Sequence, residues 1–339
     1  MGMKTIKKGV LAAAALLLFA APTAALAEGG PEKLVPMGTA VGLTLRTQGV
    51  IVAGVGEIET ESGPEAPARD AGLAPGDVIL AVNGRELTKA EELAALFGTS
   101  EGEVELTVRR NGAVRQITVE PCRTDKGAAI GVFVRDELSG IGTLTFYDPE
   151  TGLFGALGHA VSDSQTGEEL PLAEGRLSPA AVENVTPGKP GTPGQLGGAF
   201  DKDDVLGVIL VNSESGVFGE LEDVAHGEPL ETAAAGEIET GPATIYATVE
   251  GEAAQAYDVE IVRVYAGGDN RDLMLKVTDR RLLDKTGGIV QGMSGSPIVQ
   301  NGKFVGAVTH VLISDPTRGY GISIQRMIEA AGYAKPKAA

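Results

Sequence analysis

The chain has 339 residues and a mass of 34.7 kDa, enough for two domains with a sizeable core. Its 43% hydrophobic and 22% charged residues are globular values, and 48 Gly and 18 Pro against 14 aromatics point to short strands joined by many turns. Asp and Glu total 46 against 28 Lys and Arg; a net charge of −18 repels phosphate backbones and argues against a nucleic-acid partner. The single cysteine, Cys122, has no intramolecular disulfide partner and reads as a small buried apolar residue, and the three histidines are spaced too widely to suggest a metal site.

At the N-terminus, Lys4, Lys7 and Lys8 precede an apolar run from Val10 to Ala21, followed by Pro22 and the small-residue sequence Ala25-Leu26-Ala27. These are the three parts of a secretory signal, so residues 1–27 are expected to export the protein as a cleaved signal peptide or an uncleaved membrane anchor. The exported remainder carries 25 basic and 46 acidic residues, a net charge of −21.

From Gly49 to Arg110 the text reads as short strands, a loop and two helices. Gly72 stops a short helix, and Asn83-Gly84 and Asn111-Gly112 are hairpin pairs suited to positive φ. Thr88 is placed to cap a helix with Glu91 in capping-box position and Leu93, Leu96 and Phe97 on one face. The phrase from Ala71 to Gly84 resembles a PDZ domain of the bacterial, protease-associated kind, with residues 34–121 as its extent. That resemblance implies that Ala40-Val41-Gly42-Leu43 is the loop whose N–H groups receive a peptide carboxylate, with the strand after it pairing to the peptide. The helix Lys89 to Phe97 would form the opposite wall, and Val41, Gly42 and Leu43 the peptide-binding residues.

Residues 127–333 show strand-like runs at 128–134, 142–146, 205–211, 243–249, 259–264, 273–277 and 304–311, with a helix pattern only from Ile324 to Gly332. Many short strands over about 200 residues suggest a barrel or sandwich. The stretch from Thr186 to Gly194 is too rich in Pro and Gly to be an interior strand.

Three features carry chemistry. Gly292-Met293-Ser294-Gly295-Ser296-Pro297 has the glycines that let a turn expose a serine and aim backbone N–H groups at one point, here those of Gly292 and Ser294. It is similar to the turn around the nucleophile of chymotrypsin-like serine proteases. His159 precedes it by the long interval that such a plan gives to the base, whereas His310 follows the serine and His226 sits in an acidic, loop-like context. For the acid, composition does not choose among Asp163, Asp258, Asp272, Asp279 and Asp284.

Further segments add a wider resemblance: Ile130-Gly-Val-Phe-Val-Arg-Asp, Gly142-Thr-Leu-Thr-Phe-Tyr-Asp-Pro, Gly155-Ala-Leu-Gly-His, the run Thr286 to Pro297, Gly306-Ala-Val-Thr-His-Val and Asp315-Pro-Thr-Arg-Gly-Tyr-Gly-Ile. Together they resemble the stage IV sporulation protein B peptidases. The resemblance implies a mainly β protein, a PDZ domain followed by a chymotrypsin-like double β-barrel, acting as an exported serine endopeptidase with no cofactor or metal. It implies His159, Asp279 and Ser294 as the triad, and a role between forespore and mother cell. There the enzyme would cut the membrane-anchored regulator of an intramembrane metalloprotease, so promoting activation of a late sigma factor, and would cleave itself near its N-terminus. The competing reading is a secreted, non-catalytic PDZ scaffold that binds peptides; an esterase with the same triad is a third.

Overall fold

The computed structural model describes residues 31–98, 102–125, 127–163, 167, 169–222, 227–265 and 270–332; residues 1–27, expected to direct export, and His226 lie outside them. In chain order the elements used below are β1 (Ala40–Val55), β2 (Val78–Val82), α1 (Ala90–Gly98), β3 (Val104–Arg110), β4 (Ala113–Val119), β5 (Val132–Tyr147), β6 (Leu153–Ala156), β7 (Leu172–Thr186), β8 (Gly207–Ser213), β9 (Gly216–Leu221), β10 (Gly241–Ala247), β11 (Gln255–Val264), β12 (Leu273–Val277), α2 (Arg280–Thr286), β13 (Pro297–Gln300), β14 (Lys303–Val311), β15 (Arg318–Ser323) and α3 (Ile324–Ala330).

Antiparallel pairing closes two six-stranded barrels. The first runs β1, β5, β6, β9, β8, β7 and back to β1; the second runs β10, β11, β12, β15, β14, β13 and back to β10. The mainly β, double-barrel expectation is met.

Long strands cross the expected division at residues 34–121 and 127–333. β1 and β5 are each 16 residues long and pair from Val132 opposite Val55 to Thr143 opposite Ala40. Their inner halves are staves of the first barrel, and their outer halves, with β2, β3, β4 and α1, build a separate module inserted between them. Period-2 alternation allows this, because successive side chains face opposite sides of a strand. On β1, Val41, Leu43, Leu45 and Ile51 join the barrel core, whereas Val50 and Val52 enter the core of the inserted module with Ile79, Leu93, Phe97 and Leu106.

A third apolar cluster joins the barrels. Phe146 and Phe218 from the first meet Phe304, Ala307 and Ile322 from the second, and Met327 and Ile328 of α3 close over them. Phe146 lies 6.5 Å from Phe218 and 6.4 Å from Phe304 between ring centroids, within the range of favourable aromatic pairing.

Local signals held where turn chemistry dictated them. Asn83 and Gly84 have φ of 51° and 74°, and Asn111 and Gly112 have 51° and 73°. In α1 it is Glu92 rather than Glu91 that accepts from the Thr88 N–H and hydroxyl, and Asp136 of β5 accepts from the Ala90 N–H. Helix α2 was not expected.

Gly49 sits where β1 passes from barrel to inserted module, with φ of 91°, and a Cβ there would meet the Ile79 carbonyl oxygen. Gly49→Ala should cost about 2 kcal/mol or more. Because both bodies share β1, calorimetry should show a single transition moved to lower temperature; two separate transitions, with only one displaced, would contradict the shared-strand account.

Candidate active site

The serine turn is assembled from the second barrel. Asp279 caps α2 by accepting from the Arg281 N–H at 2.8 Å, and Gly287, with φ of 74°, ends the helix. The chain then makes two overlapping turns, Met293 N–H to Val290 O at 3.1 Å and Ser296 N–H to Met293 O at 3.0 Å. Met293 is fully buried and anchors them, so the half-buried Ser294 is lifted toward the cleft. Gly295 has φ of 98°, and a Cβ there would overlap the Thr143 carbonyl oxygen and the Leu157 backbone nitrogen. Among the described residues the N–H groups of Gly292 and Ser294 donate to no protein acceptor. Two free donors flanking a serine oxygen are what an oxyanion requires.

The histidine comes from the first barrel. After β6, Leu157 and Gly158 both take positive φ, 68° and 70°, which swings His159 toward the serine turn. A leucine in this conformation stores on the order of 1–3 kcal/mol of strain, held here by its N–H bond to Thr143 O at 3.2 Å. His159 Nδ1 donates to the Ala160 carbonyl at 2.8 Å, leaving the Nε2 lone pair free for a proton. Burial lowers the His159 pKa, opposed in part by that carbonyl.

Sequence reasoning did not find Asn212. Its Oδ1 accepts from the Val161 N–H at 2.8 Å, and its Nδ2 donates to the carbonyls of Val161 at 2.9 Å and Leu170 at 3.0 Å, fixing the segment just past the histidine. A hydrophobic run ending in Asn carries no sequence signal for this.

His159, Gly292, Ser294, Thr309 and His310 share one cleft of about 560 Å³, walled by Leu138, Ile141, Ile289, Val290, Val311 and Ile313. The Ser294 hydroxyl donates to Thr309 O at 2.6 Å. The His310 ring lies 5.1 Å from that of His159, and desolvation, then His159 and Arg271, pull its pKa down to about 4.

None of the five candidate acids lines the cleft. Asp279, expected as the triad acid, is turned to Arg281: its oxygens accept from Arg281 N, Nε and Nη2 and from the Asp258 N–H. The guanidinium, with these backbone donors, holds it well below the usual carboxylate range, at about 2. Asp163 pairs with Arg135, Asp272 pairs with Arg326, and Asp258 and Asp284 are exposed. The structure therefore brings His159 and Ser294 together without Asp279. The family resemblance, not spacing, implies Asp279 as the triad acid; in the structure it is a helix cap.

Val41, Gly42 and Leu43 do not form a peptide-binding loop. They lie inside β1, paired to β5 on one edge and β7 on the other, which leaves no free edge for a peptide. The groove of the inserted module lies elsewhere, between Ala90, Leu93, Ala94 and Phe97 of α1 and the segment 128–134, with a volume of about 370 Å³. Among the described residues, Val132, Phe133 and Val134 pair on one edge only, with β1, and Phe133 stands 68% exposed at the rim.

Two comparisons with known families fit these two sites. The family model SpoIVB peptidase S55 matches residues 126–328. The chain belongs to that family. A PDZ-domain model matches residues 60–110, inside the inserted module, so this member of the SpoIVB peptidase S55 family carries a PDZ domain.

Among curated relatives, a zinc metalloprotease RasP of Geobacillus kaustophilus is 37% identical over 71 residues, 20% of this chain and 17% of that protein. A probable periplasmic serine endoprotease DegP-like of Chlamydia trachomatis is 40% identical over 81 residues, 24% of this chain and 15% of that protein. The chain thus spans less than a fifth of the length of either. Among solved structures, the active form of the Rv3671c protease from Mycobacterium tuberculosis aligns with 59% of this chain and 78% of its own at 14% identity and a TM-score of 0.35. The PDZ domain of an SdrC-like protein from Listeria monocytogenes aligns with 26% of this chain and 90% of its own at 22% identity and a TM-score of 0.22.

The surroundings of Asp279 fix what its removal should do. Asp279→Ala removes a cap and a hydrogen-bonded ion pair, a loss of about 2 kcal/mol. With a folded pKa of about 2 against the ordinary 3.8, the carboxylate stabilises fully above about pH 4 and loses that contribution as pH falls toward 2. The gap in melting temperature between wild type and Asp279→Ala should therefore be widest near neutrality and close across that window. A gap independent of pH would contradict the ionic role.

Proposed function

We propose that the enzyme is an exported signalling endopeptidase of sporulation, with Ser294 as nucleophile and His159 as base. Its PDZ groove would select polypeptide substrates. The observation that carries the catalytic reading is the pair of unengaged N–H groups at Gly292 and Ser294, on a glycine-flanked turn facing a histidine whose Nε2 is free. Rotation about the Cα–Cβ bond takes the Ser294 hydroxyl from Thr309 O toward the imidazole. Oγ then bonds to the scissile carbonyl carbon as its proton passes to His159 Nε2, and the oxyanion rests between the two donors, each contributing on the order of 3 kcal/mol. Collapse breaks the C–N bond, His159 returns the proton to the leaving amine, and water repeats the sequence on the acyl-enzyme. The Ala160 carbonyl holds the tautomer, a dipole where related sites place a charge.

The finer assignment rests on family membership. In this reading the enzyme works between forespore and mother cell, released or anchored by residues 1–27. It cuts the membrane-anchored regulator of an intramembrane metalloprotease, so promoting late sigma-factor activation, and trims its own N-terminal region. Anchoring would raise its effective concentration toward a membrane-bound substrate.

Incubating the exported portion with a fluorophosphonate probe tests the catalytic reading. Wild type should label at Ser294, while Ser294→Ala should not label and His159→Ala should label at least a hundredfold more slowly. Since burial lowers the His159 pKa and the base must be neutral, the labelling rate should begin to fall only below about pH 6.5. Labelling elsewhere, or an acid limb above pH 7, would count against the assignment.

For the groove, Leu93→Asp places a charge in its floor. It should abolish capture of hydrophobic C-terminal peptides and slow cleavage of a protein substrate, while probe labelling at Ser294 stays at the wild-type rate. Unchanged peptide capture would place binding elsewhere.

A further inference from the structure

Thr143 touches both halves of the active site. It lies on β5, 2% exposed, at the end of the ladder where Thr143 stands opposite Ala40. Its carbonyl accepts the Leu157 N–H at 3.2 Å, at the start of the left-handed turn that delivers His159. Its hydroxyl reaches across to the second barrel and donates to the Gly292 carbonyl at 2.7 Å, a contact between residues 149 apart in sequence. Gly295, next to the nucleophile, packs on the same Thr143 carbonyl closely enough that no side chain fits.

We infer that Thr143 is the positioning residue that sets the oxyanion hole against the base, its hydroxyl locking the Gly292–Met293 peptide from the opposite barrel. The inference rests on Ser294 being the nucleophile. The oxyanion loop is held on its other side by the segment leading to residues 195–200, which pair with β7: Leu196 N–H donates to the Gln291 carbonyl at 2.9 Å, and Gln291 N–H donates to Gly194 O at 2.9 Å. The Leu196 bond holds the Gln291–Gly292 peptide, which carries the Gly292 N–H, the Gly194 bond holds the Val290–Gln291 peptide, and the Thr143 hydroxyl holds the Gly292–Met293 peptide that follows. Without that hydroxyl, the part-buried Gly292 carbonyl loses its described side-chain partner, leaving the Met293 N–H bond to Val290 O as the remaining described restraint on a peptide that lies between the two carrying the Gly292 and Ser294 donors, so both donors can shift. A backbone donor is useful to an oxyanion only when held in place before the charge develops.

The position also links the two sites. β5 lines the peptide groove at 132–134, lines the catalytic cleft at Leu138 and Ile141, and then reaches Thr143. A displacement of β5 on peptide docking would be delivered to the oxyanion loop through one hydroxyl.

The test compares Thr143→Val, which keeps shape and removes the hydroxyl, with Thr143→Ser, which keeps the hydroxyl. Labelling rates with a fluorophosphonate and inhibition by a peptide aldehyde are measured on the exported chain beside wild type and Ser294→Ala. Thr143→Val should label about tenfold more slowly and bind the aldehyde, whose hemiacetal needs the oxyanion hole, about tenfold less tightly, with its melting temperature within a few degrees of wild type. Thr143→Ser should recover most of both. If Thr143→Val melts below the assay temperature, Thr143→Ala and Thr143→Ser make the same comparison in a smaller volume. A folded Thr143→Val or Thr143→Ala with wild-type labelling and aldehyde affinity overturns the inference, as does a Thr143→Ser no faster than its hydroxyl-free counterpart. Failure of wild type to label at Ser294 overturns the nucleophile assignment itself, and this inference with it.

Discussion

The ladder between β1 and β5 is the constraint on which the rest of the molecule depends. Two strands of 16 residues, paired from Val132 and Val55 at one end to Thr143 and Ala40 at the other, serve as neighbouring staves of the first barrel and as part of the wall of the PDZ domain. A shared backbone ladder leaves no flexible linker between the modules. It also leaves each strand with two faces in two different cores, which works because Val41, Leu43 and Leu45 point one way and Val50 and Val52 the other. The proposed catalytic pair is similarly divided, with His159 delivered by the first barrel and Ser294 by the second, and the aromatic cluster of Phe146, Phe218 and Phe304 fixes one barrel against the other.

The site is mostly apolar, with His159, Ser294, Thr309 and His310 gathered in it. Leu138, Ile141, Ile289, Val290, Val311 and Ile313 form much of its wall, no carboxylate lines it among the described residues, and the imidazole is oriented by a backbone carbonyl. Lowering the dielectric around a neutral histidine depresses its pKa and keeps it in the base form, an effect that does not depend on a charged partner. Asp279 contributes at a distance, by capping the helix whose C-terminal Gly287 leads into the loop carrying Gly292 and Ser294. An effect of this residue on turnover would pass through that loop.

Much of this was legible in the sequence because local chemistry dictated it. Asn83-Gly84 and Asn111-Gly112 are bound to form tight turns, and the glycines around Ser294, both at positive φ, mark the turn that exposes it. The strand Leu273–Val277 was read to the residue, and His159 and Ser294 do share a cleft. What could not be read was long-range. A domain inserted within another leaves no mark in alternation, because Leu45 and Val50 look equally strand-like, so Val41, Gly42 and Leu43 were assigned to the wrong module. Asp279 illustrates the converse: an Asp two residues before Arg281 suits a helix cap and an ion pair as well as an acid near a serine, and only tertiary structure tells these apart.

The most direct measurement is the crystal structure of the exported chain after phosphonylation. It should place the phosphonyl oxygen within about 3 Å of the N–H groups of Gly292 and Ser294. His159 Nε2 should lie against Ser294 Oγ, the Thr143 hydroxyl should remain on the Gly292 carbonyl, and Asp279 should still be paired with Arg281. An adduct on another residue, or an Asp279 carboxylate moved onto His159 Nδ1, would contradict this account of how the site is built.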